Sequence, residues 1–181
     1  MDLLNKNKKR KVLFVIAHED FRDEEYFIAR EALEELGVDV VTASSDLSPA
    51  TGVKGGEAKI DVLLSDVVLD DYDAIAIAGG RGARLYFEMT DLHDLIRNFN
   101  KEGKVVAAIC AAPVILAKAG VLSGKKATAW HTSENMEYPE EIKMFGALFV
   151  DEDVVIDGKV VTANNPESSR KFGETIASLI G

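Results

Sequence analysis

Lys104-Val-Val-Ala-Ala-Ile-Cys110-Ala-Ala-Pro113-Val-Ile-Leu-Ala-Lys-Ala-Gly120 reads as strand, abrupt turn and helix. Val105 to Ile109 is a short continuous apolar run, the pattern of a strand buried on both faces of a parallel sheet. Pro113 suits a first helical turn, where its missing N–H costs nothing, and Gly120 suits the helix C-terminus. Cys110, the one cysteine among 181 residues, therefore stands between a strand's C-terminal end and a helix N-terminus. The positive end of the helix dipole favours a thiolate there, and free backbone N–H groups are placed to hold an oxyanion. Ala111 and Ala112 are small, as a sharp strand-to-helix elbow with a projecting nucleophile requires. The competing reading is an inert buried thiol.

Upstream, Ala74-Ile-Ala-Ile-Ala78 is another buried strand, and Gly79-Gly80-Arg81-Gly82 follows it. The glycine pair lets the backbone approach a neighbouring group closely, but its spacing is not a dinucleotide fingerprint. Asp91 to Lys101 predicts an amphipathic helix with Leu92, Leu95, Ile96 and Phe99 inward and His93 solvated on its polar side. Nearer the N-terminus, strand Lys11–Ala17, polar loop His18–Asp23, helix Glu24–Leu36 and strand Val38–Ala43 form a βαβ unit with parallel strands. On that helix Glu25 begins the apolar stripe Ile28, Ala29, Ala32, Leu33, Leu36, whereas Glu24, Glu31, Glu34 and Glu35 lie off it. A carboxylate aimed at a core is costly unless it has a partner, which marks Glu25 as a candidate acid or base.

Ser44 to Gly56 reads as a loop, and Glu57 to Leu64 as a small hairpin or strand addition. Downstream of the cysteine come a strand Ala127–Trp130, then His131 and the polar segment Thr132–Glu141. Val154 to Ala163 is a hairpin turning at Asp157-Gly158, and Asn164-Asn165-Pro166 opens a closing helix that runs to about Leu179. Alternating strands and helices predict an α/β sandwich with a mainly parallel sheet, whose ligands collect at the carboxyl ends of the strands. His18, Glu25, Gly79-Gly80, Cys110 and His131 all follow strands and so share that rim.

Length and composition fit one globular domain over 11–181, with residues 1–10, including the basic Lys6, Lys8, Lys9 and Arg10, as a solvated, flexible tail. A net charge of −10 argues against nucleic acid or an anionic membrane as the main partner. A single cysteine suits a reducing cytoplasm, and the polar N-terminus does not read as a signal peptide. One cysteine and three dispersed histidines make no zinc spacing, so neither a metal nor an organic cofactor is expected.

Ala107-Ala-Ile-Cys110-Ala-Ala-Pro113, with Ala78-Gly79-Gly80-Arg81-Gly82 upstream, resembles the DJ-1/PfpI superfamily, and the likeness runs from the first strand to the last helix. Ile115 to Thr128 resembles the PfpI-type intracellular proteases in particular. The resemblance implies a flavodoxin-like three-layer sandwich with Cys110 as nucleophile on the elbow. It also implies Glu25 hydrogen-bonded to the thiol, the N–H groups of Gly80 and Ala111 as oxyanion site, and a homodimer or higher homo-oligomer. Two departures stand out. PfpI-type proteases carry histidine directly after the cysteine, where this chain has Ala111, and a neighbouring subunit's glutamate at the position matched here by Arg84. In DJ-1 a histidine reaches the cysteine from the downstream strand; the aligned residue here is Trp130, with His131 beside it and His18 as the other candidate base.

The expected function is cysteine chemistry on a small aldehyde or other reactive carbonyl, of the glyoxalase or deglycase kind the resemblance implies. The alternatives are a PfpI-like cysteine peptidase, weakened by Ala111 and Arg84, and a non-enzymatic redox-responsive or chaperone-like protein with an oxidisable Cys110. A class I glutamine amidotransferase is excluded, because Ile109-Cys110-Ala111 lacks its glycines and no histidine follows His131.

Overall fold

The computed structural model describes residues 9–181, so residues 1–8 of the tail expected over 1–10 lie outside the described residues. In chain order the elements are β1 (Lys11–Val15), β2 (Glu19–Phe21), α1 (Asp23–Glu35), β3 (Asp39–Ser44), β4 (Ala50–Gly52), β5 (Glu57–Ala58) and β6 (Val62–Leu63). They continue with β7 (Ala74–Ile77), α2 (Thr90–Lys101), β8 (Val105–Ile109), α3 (Pro113–Lys118), β9 (Lys126–Ala127) and α4 (Glu137–Met144). The last are β10 (Leu148–Phe149), β11 (Val154–Asp157), β12 (Val160–Ala163) and α5 (Ser169–Leu179).

Seven strands form the central sheet in the order β11-β12-β8-β7-β1-β3-β6. All neighbours are parallel except the β11–β12 hairpin at one edge. Because strand side chains alternate, each strand feeds two cores. Val12 and Phe14 of β1 and Val105, Ala107 and Ile109 of β8 pack on the α1/α5 face. Leu13, Val15, Val106 and Ala108 join the other core, against α2, α3 and α4. Full burial of side chains such as Phe14 or Leu13 contributes about 1.5–3 kcal/mol each. The flavodoxin-like three-layer sandwich and its mainly parallel sheet are thus as expected.

Several local expectations are corrected. The stretch read as a loop after β1 contains β2, which pairs with β4 inside the expected Ser44–Gly56 loop, and β5 completes a small second sheet. The expected strand Ala127–Trp130 is paired only at Lys126–Ala127, because Thr128 N–H is taken by the Thr162 side chain and Trp130 N–H by Cys110. The polar segment after His131 ends in a helix, α4, with Pro139 in its first turn. His93 is buried rather than solvated: it bonds the Phe87 carbonyl, and the charges of Glu88 and of Lys118 on α3 lie near its ring. On α1 the buried face keeps Glu25, Ala29, Ala32 and Leu33 but is turned slightly: Tyr26 is fully buried, its hydroxyl 2.6 Å from Thr42 Oγ1, whereas Ile28 and Leu36 are 36% and 48% exposed. Arg10, placed in the tail by its polarity, donates to the Leu36 and Ala177 carbonyls.

Candidate active site

β8 runs straight into Cys110, whose φ is 65°, a left-handed conformation that non-glycine residues seldom adopt. The end of β12 and the segment after β9 hold it from both sides. Cys110 N–H donates to the Ala163 carbonyl at the end of β12, and the Cys110 carbonyl accepts from Trp130 N–H, both at 2.9 Å. The residue is overdetermined from two sides, which is how local strain persists at a working position. Its thiol opens into a cavity of about 650 Å³ beyond the carboxyl ends of the sheet strands.

Gly79 and Gly80 follow β7 and bring a second strand end against the sulfur. A Cβ on Gly79 would fall 2.8 Å from Glu25 Oε2 and 2.9 Å from Cys110 Cβ. Gly80 has φ 96°, and a Cβ there would stand 2.4 Å from the Asp20 carbonyl oxygen. Only glycine permits this approach. The backbone N–H groups of Gly80 and Ala111 consequently point to the Cys110 sulfur.

Glu25, in the first turn of α1, is completely buried. Its Oε2 accepts from Gly79 N–H at 2.7 Å, and its carboxyl is hydrogen-bonded to the Cys110 thiol. Its Oε1 has no nitrogen or oxygen partner among the described residues. Burial pushes this carboxyl up to about 8, against the opposing influence of the thiol and the Gly79 N–H. Burial and then the Glu25 charge push the Cys110 thiol up as well, while the N–H groups of Ala111 and Gly80 pull it down. Burial thus favours the protonated carboxyl next to the sulfur.

The structure thus brings together Cys110, Glu25, Gly80 and Ala111, and it leaves both candidate histidines elsewhere. His18 Nε2 lies 2.9 Å from Ser48 Oγ, facing Asp46. His131 has both ring nitrogens engaged, Nδ1 with the Ala129 carbonyl at 2.9 Å and Nε2 with Asp151 at 3.0 Å, and its ring meets Phe149 edge-on. Neither lines the cavity, and neither does His93.

The opposite wall joins Arg84 and Trp130, met in the sequence as departures from the family's pattern, to Tyr138, which the sequence did not single out. Tyr138 of α4 packs edge-on to Trp130 and Phe87, and Arg84 lies 5.3 Å from its ring centroid. Arg84 Nη2 also holds Glu137 at 2.7 Å. Asp23, buried beside Glu25, accepts from Lys54 and Gly56 N–H at 2.8 Å each and pins the loop that brings Val53 and Lys54 to the cavity. Pro139 in the first turn of α4 was the one available signal for Tyr138. Among the described residues no cluster of ligands suits a metal ion, and no helix is long and apolar enough to cross a membrane.

The DJ-1/PfpI family model matches residues 10–179. The chain belongs to the DJ-1/PfpI family. It is 33% identical to the deglycase PfpI of Pyrococcus furiosus, over 86% of this chain and 90% of that protein. It is 27% identical to the glutathione-independent glyoxalase DJR-1.2 of Caenorhabditis elegans, over 95% of this chain and 89% of that one. A ThiJ/PfpI domain protein of Brachyspira murdochii superposes with a TM-score of 0.89 at 30% identity, covering 95% of this chain and 97% of its own.

Proposed function

We propose that this DJ-1/PfpI protein is a cysteine-dependent enzyme of small reactive carbonyls, of the glutathione-independent glyoxalase or deglycase type. One observation carries the reading: a sulfur at the cavity floor meets one buried, protonatable carboxyl and two backbone N–H groups, and no imidazole. The relatives' names point the same way.

For a 2-oxoaldehyde the steps follow from those groups. The sulfur bonds to the aldehyde carbon, the C=O π pair moves to oxygen, and the N–H groups of Gly80 and Ala111 hold that oxygen. The thiol proton passes through Glu25 to the oxygen, giving a hemithioacetal. In its ionised form, which a carboxyl near 8 still populates at neutrality, Glu25 then removes the C1 proton and returns it to C2 through an enediol, leaving a 2-hydroxy thioester. Water cleaves the C–S bond, releasing the 2-hydroxy acid and restoring the thiol, so no external oxidant or reductant is consumed. A carboxyl pushed up to about 8 is matched to such work near neutrality. A peptidase of the Cys-His kind needs an imidazole against the sulfur, and none of the three histidines lines the cavity.

The test is lactate formation from methylglyoxal without glutathione. Cys110→Ser is expected to abolish it, and Glu25→Gln to lower it by about 10²–10⁴. Absence of lactate from a protein whose Cys110 is still readily alkylated would overturn the glyoxalase reading.

A further inference from the structure

Four cationic side chains, Arg22, Lys54, Arg81 and Arg84, line the cavity, against the carboxyls of Glu25 and Glu167. Glu25 is buried, and burial raises it to about 8, so its carboxyl is mostly protonated at pH 7. The wall thus carries four positive side chains and one negative in a chain whose net charge is −10. Such a local reversal of sign focuses anions on one opening.

The counter-charges sit behind this wall, not in it. Arg22 and Lys54 share a single carboxylate, Glu24; Arg81 pairs with Asp20 at 3.1 Å and Arg84 with Glu137 at 2.7 Å. None of those three carboxylates lines the cavity. Arg22 gives Nε and Nη2 to Glu24, which leaves Nη1 free of it. Arg84 is braced by Glu137 and by the Tyr138 ring. Guanidiniums held from behind while facing a cavity are preorganised, so binding an oxoanion loses little rotamer freedom.

We propose that the carbonyl substrates of this site bear an oxoanion, a carboxylate or a phosphate, which Arg22, Lys54 and Arg84 recognise. The inference rests on Cys110 being the reacting thiol, and it names the substrate class for that reaction.

The test compares two alkylating probes that differ by one charge, iodoacetate and neutral iodoacetamide, on the intact chain. The rate ratio at Cys110 is referred to the same thiol in the urea-unfolded protein. Folding is expected to raise the iodoacetate-to-iodoacetamide ratio by about tenfold, and high salt to reduce that gain. Lys54→Gln and Arg84→Gln should each cut it by about threefold or more, and Arg170→Gln, whose side chain pairs with Glu31 and Glu35, should not. Lys54 is mostly exposed, so its variant keeps the fold. Inorganic phosphate and acetate at equal ionic strength then compete with iodoacetate: stronger protection by phosphate assigns phosphate esters, and equal protection assigns carboxylates. A native ratio no higher than the unfolded one, or no protection by either anion, overturns the proposal. Because alkylation needs no turnover, a missing lactate signal with an intact iodoacetate preference would sink the glyoxalase reading alone, and the converse would sink only this one.

Discussion

The two walls of the cavity are built in different ways. On one side Glu25, Gly79, Gly80 and Ala111 meet Cys110 through backbone groups at strand ends and one fully buried carboxyl. On the other side Arg84, Glu137 and Tyr138 meet through side chains from a 3-10 turn and a short helix, with Arg84 and Glu137 about half exposed. The first wall has no room to adjust; an added methyl at Gly80 has nowhere to go. The second is held by exposed ion pairs, each worth only about 0–1 kcal/mol. Covalent chemistry needs the fixed wall, whereas selection among substrates tolerates the adjustable one.

The largest expected effect lies in the fixed wall and reads its electrostatics. Glu25 is raised from 4.5 to about 8, so the folded state binds a proton that the unfolded state releases between those values. Its contribution is fully present below about pH 4.5 and is lost as pH rises through 8. Thermal or urea unfolding should therefore show stability falling from pH 5 to 8.5 relative to Glu25→Gln, by a few kcal/mol. His93, lowered by burial, works in the opposite direction below 6.5 and is common to both proteins, so the difference between them isolates Glu25. Parallel pH curves would show that the carboxyl is ionised in the fold and break the contrast between the walls.

The fixed wall was also the legible one, for physical reasons. Cys110 and the glycine pair lie directly after apolar runs, so their place at the sheet rim follows from chain order. Glu25 follows from helical period, which survives the slight turn of the stripe that buries Tyr26 and exposes Ile28. Periodicity reports one face of one element. It gives no sign that Phe87 and α3 meet the other side of α2 and that His93 is buried there. It is equally silent on short pieces such as β2, β4 and α4, which bring Arg22, Val53 and Tyr138 to the site. Arg84 entered as a departure from the family's pattern, and only the packing of Tyr138 against it shows what the departure builds. His131 looked available from its position beside Trp130, but adjacency in the chain does not say that Asp151 and the Ala129 carbonyl already hold its ring.

A second break-point is Gly80→Ala. The added Cβ meets the Asp20 carbonyl at 2.4 Å and Arg22 N at 2.5 Å, in a backbone conformation that L-residues avoid. The expected loss is about 2–3 kcal/mol in urea unfolding, together with slower alkylation of Cys110 as one N–H leaves the sulfur. An alanine tolerated here at no cost would mean that the glycine wall is not fixed.

The smallest effect should come from the adjustable wall. Tyr138→Phe removes one hydroxyl from beside Arg84 and keeps the ring that packs against Trp130 and Phe87. Burial raises the Tyr138 hydroxyl, so it is a neutral donor throughout the working range and makes no charge for the fold to lose. Stability should change by less than about 1 kcal/mol. If the wall selects substrates, KM should rise by about threefold with kcat nearly unchanged, because a group that binds ground state and transition state alike acts on KM. A fall in kcat of a hundredfold with KM constant would instead place Tyr138 in the proton path and move it to the same side of the comparison as Glu25. The pH profile separates the two cases, since a hydroxyl that donates a proton in the reaction adds its own limb above neutrality and a binding hydroxyl does not.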